Sequence, residues 1–277
     1  PLKKSFEIVF VDDGSRDRSF EILSGLAKKD KRVKVVQFRR NFGQTAAMAA
    51  GIDHSTGEII VFMDSDLQNE PADIARLIEK IEEGYDVVSG WRYHRKDKML
   101  SRKIPSKIAN RLISRVTGVP LHDLGCSLKA YRADVLKKVK LYGEMHRFIP
   151  IHASWVGAKI IEIPVGHHAR QFGKSKYGIK RTFKVMLDLL TVKFLGSFAT
   201  KPIYLYGGIG FFMIGFGFLS GLAVIFMKHF MGYNMTGNPF LLITVMFFLL
   251  GIIMLLMGIQ SEMLIRIYHE AQDIRPY

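Results

Sequence analysis

Two carboxylates, Asp64 and Asp66, stand two residues apart directly after the apolar run Ile59-Ile60-Val61-Phe62. A short β-branched run of this kind reads as a buried strand. In an open α/β sheet, ligands bind beyond the carboxyl ends of the strands. An Asp-x-Asp placed there offers hard oxygen donors to Mg2+ or Mn2+, and such an ion commonly joins protein carboxylates to substrate phosphates. Aspartate is also an ordinary turn residue. A solvated loop is therefore the competing reading of this stretch taken alone.

Three further groups of residues could do chemistry. Asp12-Asp13-Gly14-Ser15 ends the apolar run from Phe6 to Val11. Two acceptor side chains beside a glycine turn could hold a base or a ribose, or could simply make the turn. Arg39-Arg40-Asn41-Phe42-Gly43 ends the next apolar run and could touch a nucleotide or form a solvated basic turn. Then comes a basic stretch: Arg92, Arg95, Lys96, Lys98, Arg102, Lys103, Lys107 and Arg111. A solvated helix face explains part of it, but arginine also suits bidentate phosphate recognition. Asp123, in His122-Asp123-Leu124-Gly125-Cys126-Ser127, faces a pocket or terminates a turn, with neither reading preferred. Cys126 reads as a small packed residue, since no base can be assigned to it.

These residues need elements to position them. Strands are expected at Phe6–Val11, Val33–Phe38, Ile59 onward, Asp86–Ser89, the run to Arg132 and Lys159–Val165, with helices between them. The β-α-β-α-β-α-β alternation argues for an α/β fold with a mostly parallel sheet. No Gly-x-Gly-x-x-Gly and no Gly-Lys-Ser/Thr loop is present, so dinucleotide and P-loop chemistry lose support.

The 277 residues carry a net charge of +15 and one cysteine. That balance points to anionic partners such as phosphates, a nucleotide or an acidic membrane surface. A single cysteine excludes an internal disulfide framework. Nucleic acid ranks low, because no recognition motif accompanies the basic stretch. No charged residue occurs from Pro202 to Met227 or from Pro239 to Ser261. Each run is long enough for a membrane-crossing helix. Gly207, Gly208, Gly210, Gly215, Gly217 and Gly221 suit close helix contact and permit homo-oligomers. Apolar residues at helical spacing from Ile179 to Thr200, with Lys180, Arg181, Lys184 and Lys193 between them, read as interfacial amphipathic helix. Lys193 and Lys201 put that side in the cytoplasm by the positive-inside rule. The organisation expected is a cytoplasmic catalytic domain over 1–175, juxtamembrane helices over 176–201 and a two-helix membrane hairpin with a short tail over 202–277.

Together these landmarks resemble the family-2 glycosyltransferases of GT-A fold, and most of all the polyprenyl-phosphate glycosyltransferases typified by dolichyl-phosphate mannose synthase. The residues that carry the likeness are Val11-Asp12-Asp13-Gly14-Ser15-Arg16-Asp17, Arg40-Asn41-Phe42-Gly43, Asp64-Ser65-Asp66-Leu67-Gln68, Gly90-Trp91-Arg92, Arg102 to Ser106, and Arg170 with Gly173-Lys174-Ser175-Lys176-Tyr177. The resemblance implies nucleotide-sugar contacts at Asp12, Asp13, Asn41, Asp64 and Ser65. It implies a Mg2+ or Mn2+ site at Asp64, Asp66 and Gln68. Phosphate of the lipid acceptor would fall to Arg92, Arg102, Ser106, Arg170, Lys174 and Ser175, with Asp66, Asp123, Arg92 and Arg170 the catalytic group. A further strand ahead of residue 1, carrying other nucleotide contacts, is also implied. The Gln-x-x-Arg-Trp motif of processive polysaccharide synthases is missing.

The implied reaction is inverting transfer of a sugar from a UDP- or GDP-linked donor to a polyprenyl phosphate such as undecaprenyl or dolichyl phosphate. A family-2 enzyme acting on another membrane acceptor, a glycolipid or growing glycan, would keep the metal site and use the arginines differently. A non-catalytic membrane adaptor would need no metal site.

Overall fold

The computed structural model describes residues 4–93, 104–139, 141, 143, 145–168, 191–194, 196–198, 201–234 and 238–271, without the side chains of 104–109, 112 and 268–270. It divides into two compact units, Pro1–Val192 and Lys193–Tyr277.

In the first unit, β1 (Ile8–Asp12) pairs in parallel with β2 (Val33–Gln37). Helices α1 (Ser19–Lys29) and α2 (Gln44–His54) follow those strands. A second sheet has the order β3-β5-β4-β6, built from β3 (Ile59–Phe62), β4 (Val87–Trp91), β5 (Lys129–Arg132) and β6 (Ile160–Pro164). Strand β5 is antiparallel to both neighbours, while β4 and β6 run parallel. The alternation of apolar runs predicted the parallel strands. It did not predict that one strand would be inserted in reverse between β3 and β4. This reversal matters for the site, because it brings the beginning of β5 to the edge where β3 and β4 end.

Alternation along each strand feeds two cores. Ile60, Val87 and Tyr131 face Ile52 of α2 and Ile149 of α6 (Ile149–Trp155). Val88, Ala130 and Ile163 face Leu77 and Ile81 of α3 (Asp73–Glu82). A third cluster joins Ile113 of α4 (Ile104–Thr117) to Leu121, Leu124, Phe148 and Ile151. The short helix α5 (Ala133–Leu136) follows β5 directly. The four-stranded sheet thus carries helices on both faces, with the reversed β5 departing from the mostly parallel sheet expected. The strands fall within a few residues of the expected limits.

The second unit is a hairpin of α7 (Pro202–Met231) and α8 (Pro239–Ala271). At about 1.5 Å per residue, each helix exceeds the roughly 30 Å of a bilayer's hydrocarbon core. Only 22% of the most apolar stretch of α7 and 6% of that of α8 is buried. A helix in the core of a soluble protein would hide those side chains; here they face outward, as lipid-facing residues do. Where the helices touch, glycine sets their separation. A Cβ on Gly251 would lie 2.5 Å from Ile214 Cγ1 and 2.9 Å from the Gly210 carbonyl, whereas a Cβ on Gly215 would meet nothing within 4 Å. The Ser220 and Thr244 hydroxyls bond across the pair at 3.0 Å. Most of the amphipathic stretch expected from Ile179 onward lies outside the described residues; its later part, 191–194 and 196–198, is helical.

Replacing Gly251 with leucine must push the helices apart, and overpacking of this kind costs about 1–3 kcal/mol. Thermal unfolding of the detergent-purified protein should therefore show a lower midpoint for Gly251→Leu and an unchanged one for Gly215→Leu.

Candidate active site

The carboxyl ends of β3 and β4 and the leading end of β5 share one edge of the four-stranded sheet. Phe62 pairs with Lys129 on one side of β5, and Ser89 pairs with Lys129 on the other. Asp64 and Asp66 follow β3, Arg92 follows β4, and the loop 122–127 enters β5. Residues distant in sequence meet here because β5 is reversed.

The Asp64–Gln68 loop turns sharply at Leu67, which holds φ 60. Gln44 Nε2, from the start of α2, donates to Asp64 Oδ1 at 3.2 Å, and the Gln68 amide donates to Asp66 Oδ1 at 3.2 Å. Asp64 keeps an open side, but the protein crowded behind it raises its carboxyl pKa above the usual range. The charge of Asp66 adds to this, while Ser127, Lys129 and Arg92 oppose it. Two neighbouring carboxylates with a carboxamide on the same turn suit a hard divalent cation. Among the described residues no group of three His, Cys, Asp or Glu side chains could hold a metal. An ion here would rest on Asp64, Asp66 and Gln68 together with oxygens of its substrate. Ser65 is exposed on the same loop.

The loop is fastened on two sides. Asn69 Nδ2 donates to Ser127 Oγ at 2.9 Å. On the other side, Asn69 bridges to His167, and the His168 amide donates to the Gln68 carbonyl at 2.9 Å. The Gly166 amide donates to Asp73 Oδ2 at 2.6 Å. The chain leading to Arg170 is thereby tied to the Asp64–Gln68 loop. Arg102, Arg170, Lys174 and Ser175 lie outside the described residues. Ser106 lies in α4, with its side chain not described.

Arg92 and Asp123 form a bidentate pair: Nε donates to Oδ2 at 2.6 Å and Nη2 donates to Oδ1 at 2.8 Å. Their side chains are 14% and 6% exposed, so the pair is largely desolvated. Asp123 is held by its main chain as well. Glu162 of β6, 7% exposed, accepts the amides of His122 and Asp123 at 2.9 Å each, and the His122 ring at 2.9 Å. Sequence reasoning missed Glu162, although a carboxylate inside Ile160-Ile161-Glu162-Ile163 is itself a signal that a strand carries a buried charge to a partner. It also missed Ser127 and Gln44, for which the sequence holds no comparable mark.

The turn after β1 adjoins a separate cavity. Asp12 is 4% exposed. Its Oδ1 accepts the Ser15 amide at 3.1 Å, while Oδ2 is buried without a hydrogen-bond partner among the described residues. A buried acceptor left in this state is unusual and calls for a donor. Asp13 is differently used: its carboxylate accepts the Phe42 and Gly43 amides at 2.6 and 2.9 Å, and Asn41 Nδ2 donates to its carbonyl at 3.2 Å. Gly14 is required between them, with φ +70 and space for a Cβ blocked by the Arg40 main chain at 2.6 Å. Beside this turn is a cavity of about 400 Å3 lined by Ser15, Arg16, Phe38, Arg39, Arg40 and Asn41. The cavity, with Arg16, Arg39 and Arg40 in its lining, suits a negatively charged ligand, and Asn41 forms part of its wall.

Comparison with known proteins agrees with this geometry. The model of the family described as "Glycosyl transferase family 2" matches residues 2–140. Dodecaprenyl-phosphate galacturonate synthase of Rhizobium johnstonii is 44% identical over 271 residues, covering 95% of this chain and 79% of that protein. Undecaprenyl-phosphate 4-deoxy-4-formamido-L-arabinose transferase of Pseudomonas aeruginosa is 40% identical over 273 residues, covering 98% and 79%. Among solved structures, glucosyl-3-phosphoglycerate synthase of Mycobacterium tuberculosis in complex with Mn2+ and UDP-glucose superposes with a TM-score of 0.50 at 17% identity, over 68% of this chain and 67% of that one. This last likeness establishes the GT-A fold.

The two aspartates should separate in experiment. Asp13→Ala removes two charge-assisted bonds from a partly exposed site and should cost roughly 1–2 kcal/mol of stability, read as a lower thermal midpoint. Asp12→Ala should leave the midpoint nearly unchanged and weaken nucleotide binding at least tenfold by calorimetry.

Proposed function

The chain belongs to glycosyl transferase family 2, and we propose that it moves a sugar from a nucleotide-sugar to a polyprenyl phosphate with inversion. The observation that carries this reading is the shared sheet edge. A carboxylate loop suited to a divalent ion and an arginine suited to phosphate are held there by one loop, in a chain that also has two membrane-length helices. The names of its relatives, both built on a polyprenyl phosphate, support the same acceptor class.

On this reading the nucleoside of the donor lies against Asp12 and the basic cavity, and its diphosphate reaches the Asp64–Gln68 loop. Asp64, Asp66 and Gln68 hold Mg2+ or Mn2+. When bound, such an ion stabilises the negative charge that builds on the departing diphosphate. An oxygen of the lipid phosphate attacks the anomeric carbon. The new C–O bond forms as the bond to the diphosphate breaks, and the electron pair leaves on the nucleoside diphosphate. A phosphate monoester loses its second proton near a pKa of about 6, so the acceptor is already a competent nucleophile at neutral pH. No strong general base is needed. Asp123, fully engaged by Arg92, orients that arginine toward phosphate instead of taking a proton. Arg102, Ser106, Arg170, Lys174 and Ser175 complete the acceptor's phosphate site. That role for Arg170 is favoured by the bonds tying the preceding residues 166–168 to the metal loop.

The hairpin anchors the protein in the membrane as a multi-pass chain. Lys193 and Lys201 favour a cytoplasmic face for the catalytic unit. That unit spans 1–175, with 176–201 leading into the hairpin of 202–277.

Detergent-purified protein should transfer label from one donor in a panel of UDP- and GDP-sugars to undecaprenyl phosphate, given Mg2+ or Mn2+. Chelation should abolish transfer, and Asp66→Ala should lower it at least a hundredfold. Metal-dependent donor hydrolysis with no labelled lipid would move the acceptor to another membrane glycan or glycolipid.

A further inference from the structure

Lys129 is a buried cation that the reaction as drawn does not use. It begins β5 and is 5% exposed. Its Nζ donates to the Leu124 carbonyl at 3.0 Å and to the Cys126 carbonyl. Both acceptors belong to the loop 122–127. The same loop is gripped from the other side by Glu162, which accepts the amides of His122 and Asp123. One buried cation thus takes the loop's carbonyls and one buried anion takes its amides.

What the loop carries explains why such a clamp exists. Asp123 holds Arg92 through two short bonds. Ser127 accepts from Asn69, which directly follows the Asp64–Gln68 loop. A shift of the loop by an ångström would misplace both the arginine and the metal-loop aspartate. Positional errors of that size in a catalytic group can cost about a hundredfold in rate. A lysine placed here for stability alone is a poor choice. Burial pushes its ammonium below the ordinary value, with Asp123 and Asp64 opposing that effect and Arg92 adding to it. An apolar side chain of similar size would avoid the desolvation cost. It could not bond the two carbonyls.

We propose that Lys129 is a positioning residue for sugar transfer: by clamping the carbonyls of Leu124 and Cys126 it fixes the loop that sets Arg92 through Asp123 and the Asp64–Gln68 loop through Ser127 and Asn69. The proposal rests on the transferase reading above. Lys129 spends its ammonium on main-chain carbonyls, so its loss acts through the placement of Arg92 and of the Asp64–Gln68 loop.

The test compares full-length wild type with Lys129→Met, Lys129→Arg and Ser127→Ala in detergent. Two readouts are taken: transfer kinetics, and hydrogen–deuterium exchange over peptides that contain residues 122–127. In Lys129→Met the loop should exchange at least tenfold faster while β3 and β4 keep their protection. Its kcat should fall at least tenfold, whatever the change in donor KM. Lys129→Arg, which keeps a cation with several donors, should recover much of the rate. Ser127→Ala, which cuts the link to the metal loop without touching the clamp, should lower kcat in the same way while the loop keeps its protection. The proposal is overturned if Lys129→Met keeps wild-type loop exchange, or if its kcat holds. Should Lys129→Met fail to fold, normal turnover in Ser127→Ala or no rescue in a folded Lys129→Arg overturns it. Wild type that transfers no sugar to lipid phosphate would defeat the transferase reading separately, since loop exchange is measured without substrate.

Discussion

A buried stretch of irregular backbone must find partners for its amides and carbonyls, and in this chain that requirement shapes the active edge. Strand β5 runs against β3 and β4, so the loop that enters it, 122–127, is drawn into the interior beside the ends of both. Unpaired main-chain groups there would cost as much as lost hydrogen bonds. Two charged side chains of opposite sign meet the need. Glu162 from β6 takes amides, and Lys129 from β5 itself takes carbonyls. The position of the loop then dictates the positions of Asp123 and Ser127, and through them those of Arg92 and the Asp64–Gln68 turn.

Buried charges are costly, and the arrangement is stable because each one faces an opposite charge or a set of dipoles. Arg92 and Asp123 form a desolvated bidentate pair, the geometry in which a guanidinium loses least by leaving water. Lys129 has two carbonyl dipoles. Asp64 has Lys129 and Arg92 within electrostatic reach, but its neighbour Asp66 and the surrounding protein still hold its carboxyl above the usual range. Burial is the larger cause and the charge of Asp66 the smaller, and the nearby cations do not offset the two. A divalent ion would suit a turn that brings two carboxylates together. The same logic applies at Asp12, where a buried oxygen lacks a donor among the described residues and a basic cavity opens nearby.

Much of this was legible in the sequence. Apolar runs ending in Asp12, Asp64 and Arg92 marked three strand ends. Long uncharged stretches marked both helices of the hairpin, because neither strand termini nor bilayer thickness needs tertiary context to be recognised. The roles of residues inside the site were less accessible. Asp13 reads like Asp12 as a ligand residue, yet its carboxylate caps Phe42 and Gly43, a difference set by a loop far along the chain. Asp123 was evenly balanced between pocket and turn; its pairing with Arg92 depends on the reversed strand, which no local pattern encodes. Glu162 interrupts an apolar strand and Lys129 opens β5, and a charge at a buried strand position was the available sign of their importance.

The absence of an assigned general base now has a physical setting. An acceptor that must first lose a proton would need a carboxylate or imidazole with spare hydrogen-bonding capacity beside the anomeric carbon. Asp123, the carboxylate best placed for such work, spends both oxygens on Arg92. An acceptor that arrives already ionised makes the opposite demand: a fixed positive group to receive it, and a fixed frame to keep that group from collapsing onto the metal-loop carboxylates. On the proposed reading, Arg92 held by Asp123, and Asp123 held by its clamped loop, answers that demand. A lipid phosphate also arrives in the plane of a membrane, which is where two outward-facing apolar helices would keep the protein. The charge pattern of the sheet edge and the apolar surface of the hairpin are thus two requirements of one kind of acceptor.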